Sequence, residues 1–265
     1  VVSYKTFIKD MRLHIVERMK DHKDETKKYV THLKNEYKKF KSDNKKTVMY
    51  LVKEFEMKKA ATAYKKATSD KTGVIDPLKL KNYKFSDDIF KRLTILPDSK
   101  NHGMIMLLDW SGSMSDVLSK TVDQLINLIY FCQKINIPYE VYFFNSKRES
   151  TNYTFDSQCF NYKHNDFYFD PFILVNVASH RMKKIELDES LMYLYSMADY
   201  FTERYTRWYE EKFDKGLNYG MPDQYWLGNT PLNEALVACD KLIKIFKQKY
   251  NIEKLSFITL TDGGA

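Results

Sequence analysis

Asp109, Ser111 and Ser113 stand at alternate positions directly after the apolar run 104–108. In an extended chain residues i, i+2 and i+4 face the same way, so one carboxylate and two hydroxyls at this spacing converge on one point. Gly112, between the serines, lets the backbone turn tightly. A donor set made only of oxygen suits a hard cation such as Mg²⁺, with Mn²⁺ as the alternative, rather than zinc or copper. Two more oxygen groups lie far downstream: Thr230, directly before Pro231, and Asp262, directly before Gly263. Each has an ordinary structural role as well, since Thr before Pro is a good helix N-cap and Asp-Gly a common turn. It is their conjunction at one edge of a fold that would make a metal site.

Bringing them to one edge requires strands and helices in alternation, and the pattern after residue 103 supplies it. Met104–Leu108 is too short and too apolar for anything but a buried strand. Helical spacing then runs from about Asp116 to Ile135, with Leu118, Val122, Leu125, Ile129 and Cys132 on one face and Ser115 as N-cap. Pro138 restarts the chain as a strand, Tyr139–Phe144, closed by Asn145-Ser146. Strand, helix, strand in this order implies a parallel pair with a right-handed crossover. Residues 151–170 alternate aromatic and polar side chains and are expected as an irregular hairpin or long loop at a sheet edge. Phe172–Ala178 reads as a strand, Glu186–Phe213 as a long helix, and Lys215–Asn229 as a loop. Thr230-Pro231 opens a helix to about Tyr250, with Leu232, Leu236, Cys239, Leu242, Ile243 and Phe246 facing inward. Leu255–Thr261 is the last strand. The expected fold is α/β: a Rossmann-like, open, mostly parallel sheet flanked by helices, with ligands at the carboxyl ends of its strands.

The chain divides by composition into a basic amphipathic helical region at 1–67, a connecting segment at 68–103 and the α/β domain at 104–265. Net charge is +8, yet residues 1–70 hold 19 Lys and Arg against 10 Asp and Glu, so the basic character belongs to the first region alone. Such asymmetry suits an acidic partner or nucleic acid as well as a simply solvated helix. Residues 4–66 contain neither proline nor glycine, and apolar residues recur at helical spacing. Two or three helices are expected, broken near Asp21–Asp24 and near Ser42–Asn44, each with a narrow apolar stripe suited to docking on a domain or partner. In the connecting segment Thr72-Gly73 and Asp76-Pro77 are turn signals, and Tyr83–Leu96 suggests a short helix with a strand or extended end.

Hydrophobic content of 43% rules out wholesale disorder, and the apolar runs fall well short of the roughly 20 residues that cross a bilayer. No signal peptide is legible at the start. Cys132, Cys159 and Cys239 are odd in number and widely spaced, which points to buried thiols in a reducing, cytoplasmic setting. His14, His22 and His32 lack the i, i+4 spacing that would set two ligands on one helix face.

Taken together, Asp109-Trp110-Ser111-Gly112-Ser113, Thr230 and Asp262-Gly263 resemble the metal-ion-dependent adhesion site of von Willebrand factor A domains, whose pattern is Asp-x-Ser-x-Ser, a distant Thr, then an Asp usually followed by Gly. The resemblance implies that Ser111, Ser113 and Thr230 meet Mg²⁺ through their hydroxyls, directly or through water, and that Asp109 and Asp262 act in the same way. A complete A domain continues through further helix and strand units, so a chain ending at Ala265 is expected to be a fragment. A narrower resemblance runs through Thr72-Gly73-Val74-Ile75-Asp76, Asp87-Asp88-Ile89-Phe90-Lys91 and Leu108–Met114. These stretches look like cobaltochelatase CobT-type proteins, and more closely their bacteriophage relatives. That resemblance implies a MoxR- or CobS-type AAA+ ATPase as partner. The long acidic stretch of the chelatase subunits is absent, which argues against a role in cobalamin synthesis.

No nucleotide loop, no His-Glu-x-x-His and no paired nucleophile and base is legible, so the chain is expected not to be an enzyme. The expected function is a Mg²⁺-dependent protein-binding module: an adaptor or substrate-recruiting subunit for the ATPase, whose metal takes a carboxylate from a protein ligand. The rivals are a virion or nucleic-acid-associated protein that uses residues 1–67, and a metal-chelatase subunit.

Overall fold

The computed structural model describes residues 1–66, 68–75, 90–95, 101–146, 171–207 and 221–262. Its elements run α1 (Tyr4–Asp21), α2 (Lys23–Lys66), β1 (Thr68–Ile75), β2 (Phe90–Ile95), β3 (His102–Asp109), α3 (Leu118–Lys134), β4 (Tyr139–Ser146), β5 (Phe172–Ser179), α4 (Lys184–Arg207), α5 (Leu232–Tyr250) and β6 (Lys254–Leu260). The fold is α/β, as expected.

Four strands form one sheet in the order β5-β4-β3-β6. β3 pairs in parallel with β4 and with β6, while β5 runs antiparallel to β4. β3 is central and buried almost throughout. Its side chains alternate between two cores, as a strand covered on both faces requires. Met106, Leu108 and Trp110 join the larger core, with Phe143, Val175 and side chains of α1 to α4. Ile105 and Leu107 join the smaller one, with Phe144, Leu174 and α5. The outer edge of β5 is capped by the amino terminus: the Val2 amide donates to the Leu174 carbonyl at 2.8 Å, and the Asn176 amide donates to the Val2 carbonyl at 2.9 Å.

The amino-terminal helices are part of this body. Phe7, Ile8, Met11, Leu33, Tyr37 and Phe40 are buried in the larger core beside α3 and α4. One expected break, at His22, is present; its backbone leaves helical angles between α1 and α2. The second, near Ser42–Asn44, is absent, because α2 runs unbroken through it. Asn44 explains why a breaker is tolerated there. Its Nδ2 donates back to the Phe40 carbonyl at 3.0 Å, and its Oδ1 accepts from Asn127 on α3 at 3.1 Å. Tertiary packing outweighs propensity at that position.

Several boundaries differ from the sequence reading. Thr72-Gly73 is not a turn but lies inside β1, where the pairing with β2 shifts register between Lys71 and Ile75. Phe90–Ile95 is the strand end expected of Tyr83–Leu96; the expected helix start, the Asp76-Pro77 turn, the segment 151–170, Cys159 and the end of the Glu186–Phe213 helix lie outside the described residues. Ser115 is not an N-cap. A 3-10 turn spans Gly112–Asp116, α3 starts only at Leu118, and Val117 occupies the cap position without a side-chain bond. On α5, Leu236 is 40% exposed rather than inward, and Ala235, Cys239 and Phe246 carry the burial. Cys132 and Cys239 are buried free thiols.

Candidate metal site

The carboxyl end of β3 lies between those of its two parallel neighbours, β4 and β6. Asp109 closes the strand and is completely buried. Its Oδ2 accepts from the Thr261 hydroxyl, at the end of β6, at 2.8 Å. Its Oδ1 is buried with no partner in hydrogen-bonding geometry. Burial pushes this carboxyl above the usual range; the Thr261 and Ser111 hydrogen-bonding groups oppose the shift, and the nearby charge of Asp262 adds to it.

Trp110 explains why the strand end is so firmly held. Its ring lies 5.0 Å from Phe143 and 6.0 Å from Phe201, centroid to centroid, in the larger core. Its Nε1 donates to the Tyr225 carbonyl at 2.8 Å, which ties β3 to the segment leading to Thr230. With Trp110 locked inward, pleating turns Asp109 and Ser111 the other way.

Ser113 arrives by a different route from the one its spacing suggests. The chain is extended only to Ser111, the residue capping the 3-10 turn. The turn, not strand alternation, folds Ser113 back so that its Oγ sits 3.0 Å from that of Ser111. Ser111 is 1% exposed. It also forms an isolated parallel bridge with Gly228, where the Gly112 amide donates to the Gly228 carbonyl at 3.0 Å.

That bridge positions Thr230, two residues on. The residue is not an N-cap: Pro231 occupies the cap of α5 and makes no side-chain cap bond. A hydroxyl that sequence logic assigns to the helix end is therefore not used there. The same loop is fixed on its other side by β4, because the Asn229 amide donates to Ser146 Oγ at 2.9 Å and Asn145 Nδ2 donates to the Trp226 carbonyl. Asn145 is 1% exposed and its Oδ1 has no hydrogen-bond partner. A side chain at Gly228 would collide with both Asn145 and Ser146.

The structure thus sets Asp109, Ser111 and Ser113 together, with Asp262 within electrostatic reach of Asp109 and the Gly228–Thr230 loop bridged to Ser111. Sequence reasoning missed Thr261, Asn145, Ser146 and Gly228. The polar pair Asn145-Ser146 closing an apolar strand was the available signal.

The donors are oxygens of one fully buried carboxylate, two serine hydroxyls and flanking groups. This chemistry fits Mg²⁺, which prefers hard oxygen ligands and keeps several of its waters. Among the described residues there is no cluster of three or more His, Cys, Asp or Glu, the arrangement zinc or a carboxylate cage would need. The chain matches no protein-family model, no curated protein and no solved structure.

Proposed function

We propose that this edge is a Mg²⁺ site of the von Willebrand factor A type and that the chain is a metal-dependent protein-binding module. The observation that carries the reading is Asp109 Oδ1, an acceptor buried at the strand end with no partner in hydrogen-bonding geometry, on a carboxylate next to Ser111, whose Oγ lies 3.0 Å from that of Ser113. A buried, unsatisfied carboxylate oxygen is costly, by about 1–3 kcal/mol or more when charged, and a cation supplies what it lacks. Ser111, Ser113 and Thr230 offer hydroxyls and Asp109 and Asp262 charge. Five such groups, some through water, leave a position that a carboxylate of a protein ligand completes.

When bound, the ion supplies a fixed positive field and an exchangeable coordination position. The chain's own residues do the rest. Thr261 holds Asp109 Oδ2, which leaves Oδ1 for the ion. Trp110 and the Gly112–Gly228 bridge keep the loops in register. Nothing in this arrangement is a nucleophile paired with a base, so the role is binding and not turnover. The resemblance to CobT-type proteins supplies the partner class, a MoxR- or CobS-type AAA+ ATPase, with the chain as adaptor.

The test is a pull-down of a purified MoxR-type ATPase by the full chain, in Mg²⁺ and in chelator, for the native protein and Asp109→Ala. Retention that requires both Mg²⁺ and Asp109, with circular dichroism unchanged, supports the reading. Retention in chelator, or by the variant, contradicts it.

A further inference from the structure

A second surface lies at the opposite end of the molecule from Asp109. Two adjoining clefts follow α2, one of about 690 Å³ against α1 and α4 and one of about 650 Å³ against α3 and α4. Lys38, Lys41 and Asp188 line both, so they form one trough. Its far end is marked by Lys134, in the last turn of α3, and Lys184, at the start of α4. Those helix ends adjoin the amino end of β4, where Glu140 pairs with Ser179, whereas Asp109 sits at the carboxyl end of β3.

The walls are basic. Arg12 and Lys41 are paired with Glu189 and Asp188, at 2.5 and 2.7 Å, which occupies both carboxylates lining the trough. Lys38, Lys45, Lys134 and Lys184 are exposed and, among the described residues, have no carboxylate partner. The floor is aliphatic. Val16 is 52% and Met49 46% exposed, and Val30 and Ile15 are half-buried. Of the rings that line it, Tyr37 and Tyr193 are each 5% exposed, and half-buried Tyr130 has Lys41 Nζ 5.3 Å from its ring centroid, so none offers an open face on which a base could stack.

We infer that this trough binds an acidic amphipathic segment of a partner protein. Unpaired lysines along both walls call for anionic groups, and an accessible aliphatic floor calls for apolar side chains on the same segment. A nucleic-acid backbone would satisfy the walls and leave the floor wet, and without an exposed aromatic platform its bases gain little. The surface is independent of the metal site, so each is tested without the other.

The experiment is fluorescence anisotropy on the full chain in chelator, with a labelled Glu/Leu peptide of helical amphipathic spacing as probe. A scrambled peptide of the same composition and an oligothymidylate serve as competitors. The amphipathic peptide is expected to bind at least about 10-fold more tightly than the scrambled one, and Lys38→Glu with Lys134→Glu to weaken it by about 10-fold or more. Both lysines are solvent-facing, and circular dichroism confirms that the variant folds. Asp109→Ala should leave this binding unchanged even if Mg²⁺ binding is lost. Equal binding of the scrambled peptide, undiminished binding by the double variant, or preference for the oligothymidylate overturns the inference.

Discussion

Among the described residues, Asp109 and Asp123 each hold a carboxylate oxygen buried without a partner, and they differ in what stands around them. Asp109 has a hydroxyl on one oxygen, Ser111 hydrogen-bonding groups within reach and a second acidic residue nearby, the setting on which the proposed cation site rests. Asp123, on α3, has none of this. Its Oδ1 is buried without a partner, and burial alone pushes the carboxyl up to about 6. A folded-state value above the ordinary one means that the contribution to stability is fully present below the usual carboxylate range and is lost as pH rises through about 6. Asp123→Asn should therefore leave stability unchanged near pH 4 and raise it by about 1–2 kcal/mol above pH 7, after allowance for solvent screening. Urea titrations of both proteins across that range check it. At this scale the sequence was informative where the chemistry is local. Asp109, Ser111 and Ser113 fall in one short stretch, so their meeting could be read directly. Thr261 on Asp109 and Asn145 beside Gly228 meet through strand register, which no local pattern encodes.

Elements explain why Thr230 could be located in order but not in role. A Thr-Pro pair reads as cap and first turn, yet the bridge between Ser111 and Gly228 captures the chain before α5 begins and moves the cap to Pro231. The turn after Ser111 is a similar case. Polar residues in the stretch Ser111–Asp116 read equally well as a helix start, and only the 3-10 turn places Ser113 against Ser111. The unbroken α2 shows the reverse, a breaker-rich stretch held helical by Asn127. The Gly228 contact is the sharpest element-scale constraint. A methyl group there would run into Asn145 and Ser146 and push the loop off β4. Gly228→Ala should cost about 1–3 kcal/mol in stability and weaken Mg²⁺ binding as Thr230 moves away. A melting curve together with calorimetric Mg²⁺ titration checks both, and a variant with native Mg²⁺ affinity would show that the loop does not serve the site.

Across the whole molecule, the division into a basic helical region and a following α/β domain is visible in charge but not in packing. The lysines of residues 1–62 are exposed apart from half-buried Lys41, while Phe7, Ile8, Met11, Leu33, Tyr37 and Phe40 belong to the same core as β3 and β4. The alternation of strands and helices was legible because each strand is a short apolar run between helical periods; that the first two helices complete the core was not, because an amphipathic stripe does not say what it docks against. Each of these side chains is worth about 1.5–3 kcal/mol on burial, so together they match the roughly 5–15 kcal/mol that holds a domain folded. A chain of residues 101–265 alone should bind a hydrophobic dye and melt without a cooperative transition. The proposed metal site is tested most simply by thermal unfolding of the 265-residue chain in Mg²⁺ against chelator. At a Mg²⁺ concentration 100 times its Kd, binding adds about 2.7 kcal/mol to stability, a rise of roughly 5–10 °C in Tm for a chain of this size. The native protein should show that rise and Asp109→Ala none. An equal shift in both proteins, or no shift in either at any Mg²⁺ concentration, would contradict the proposed site.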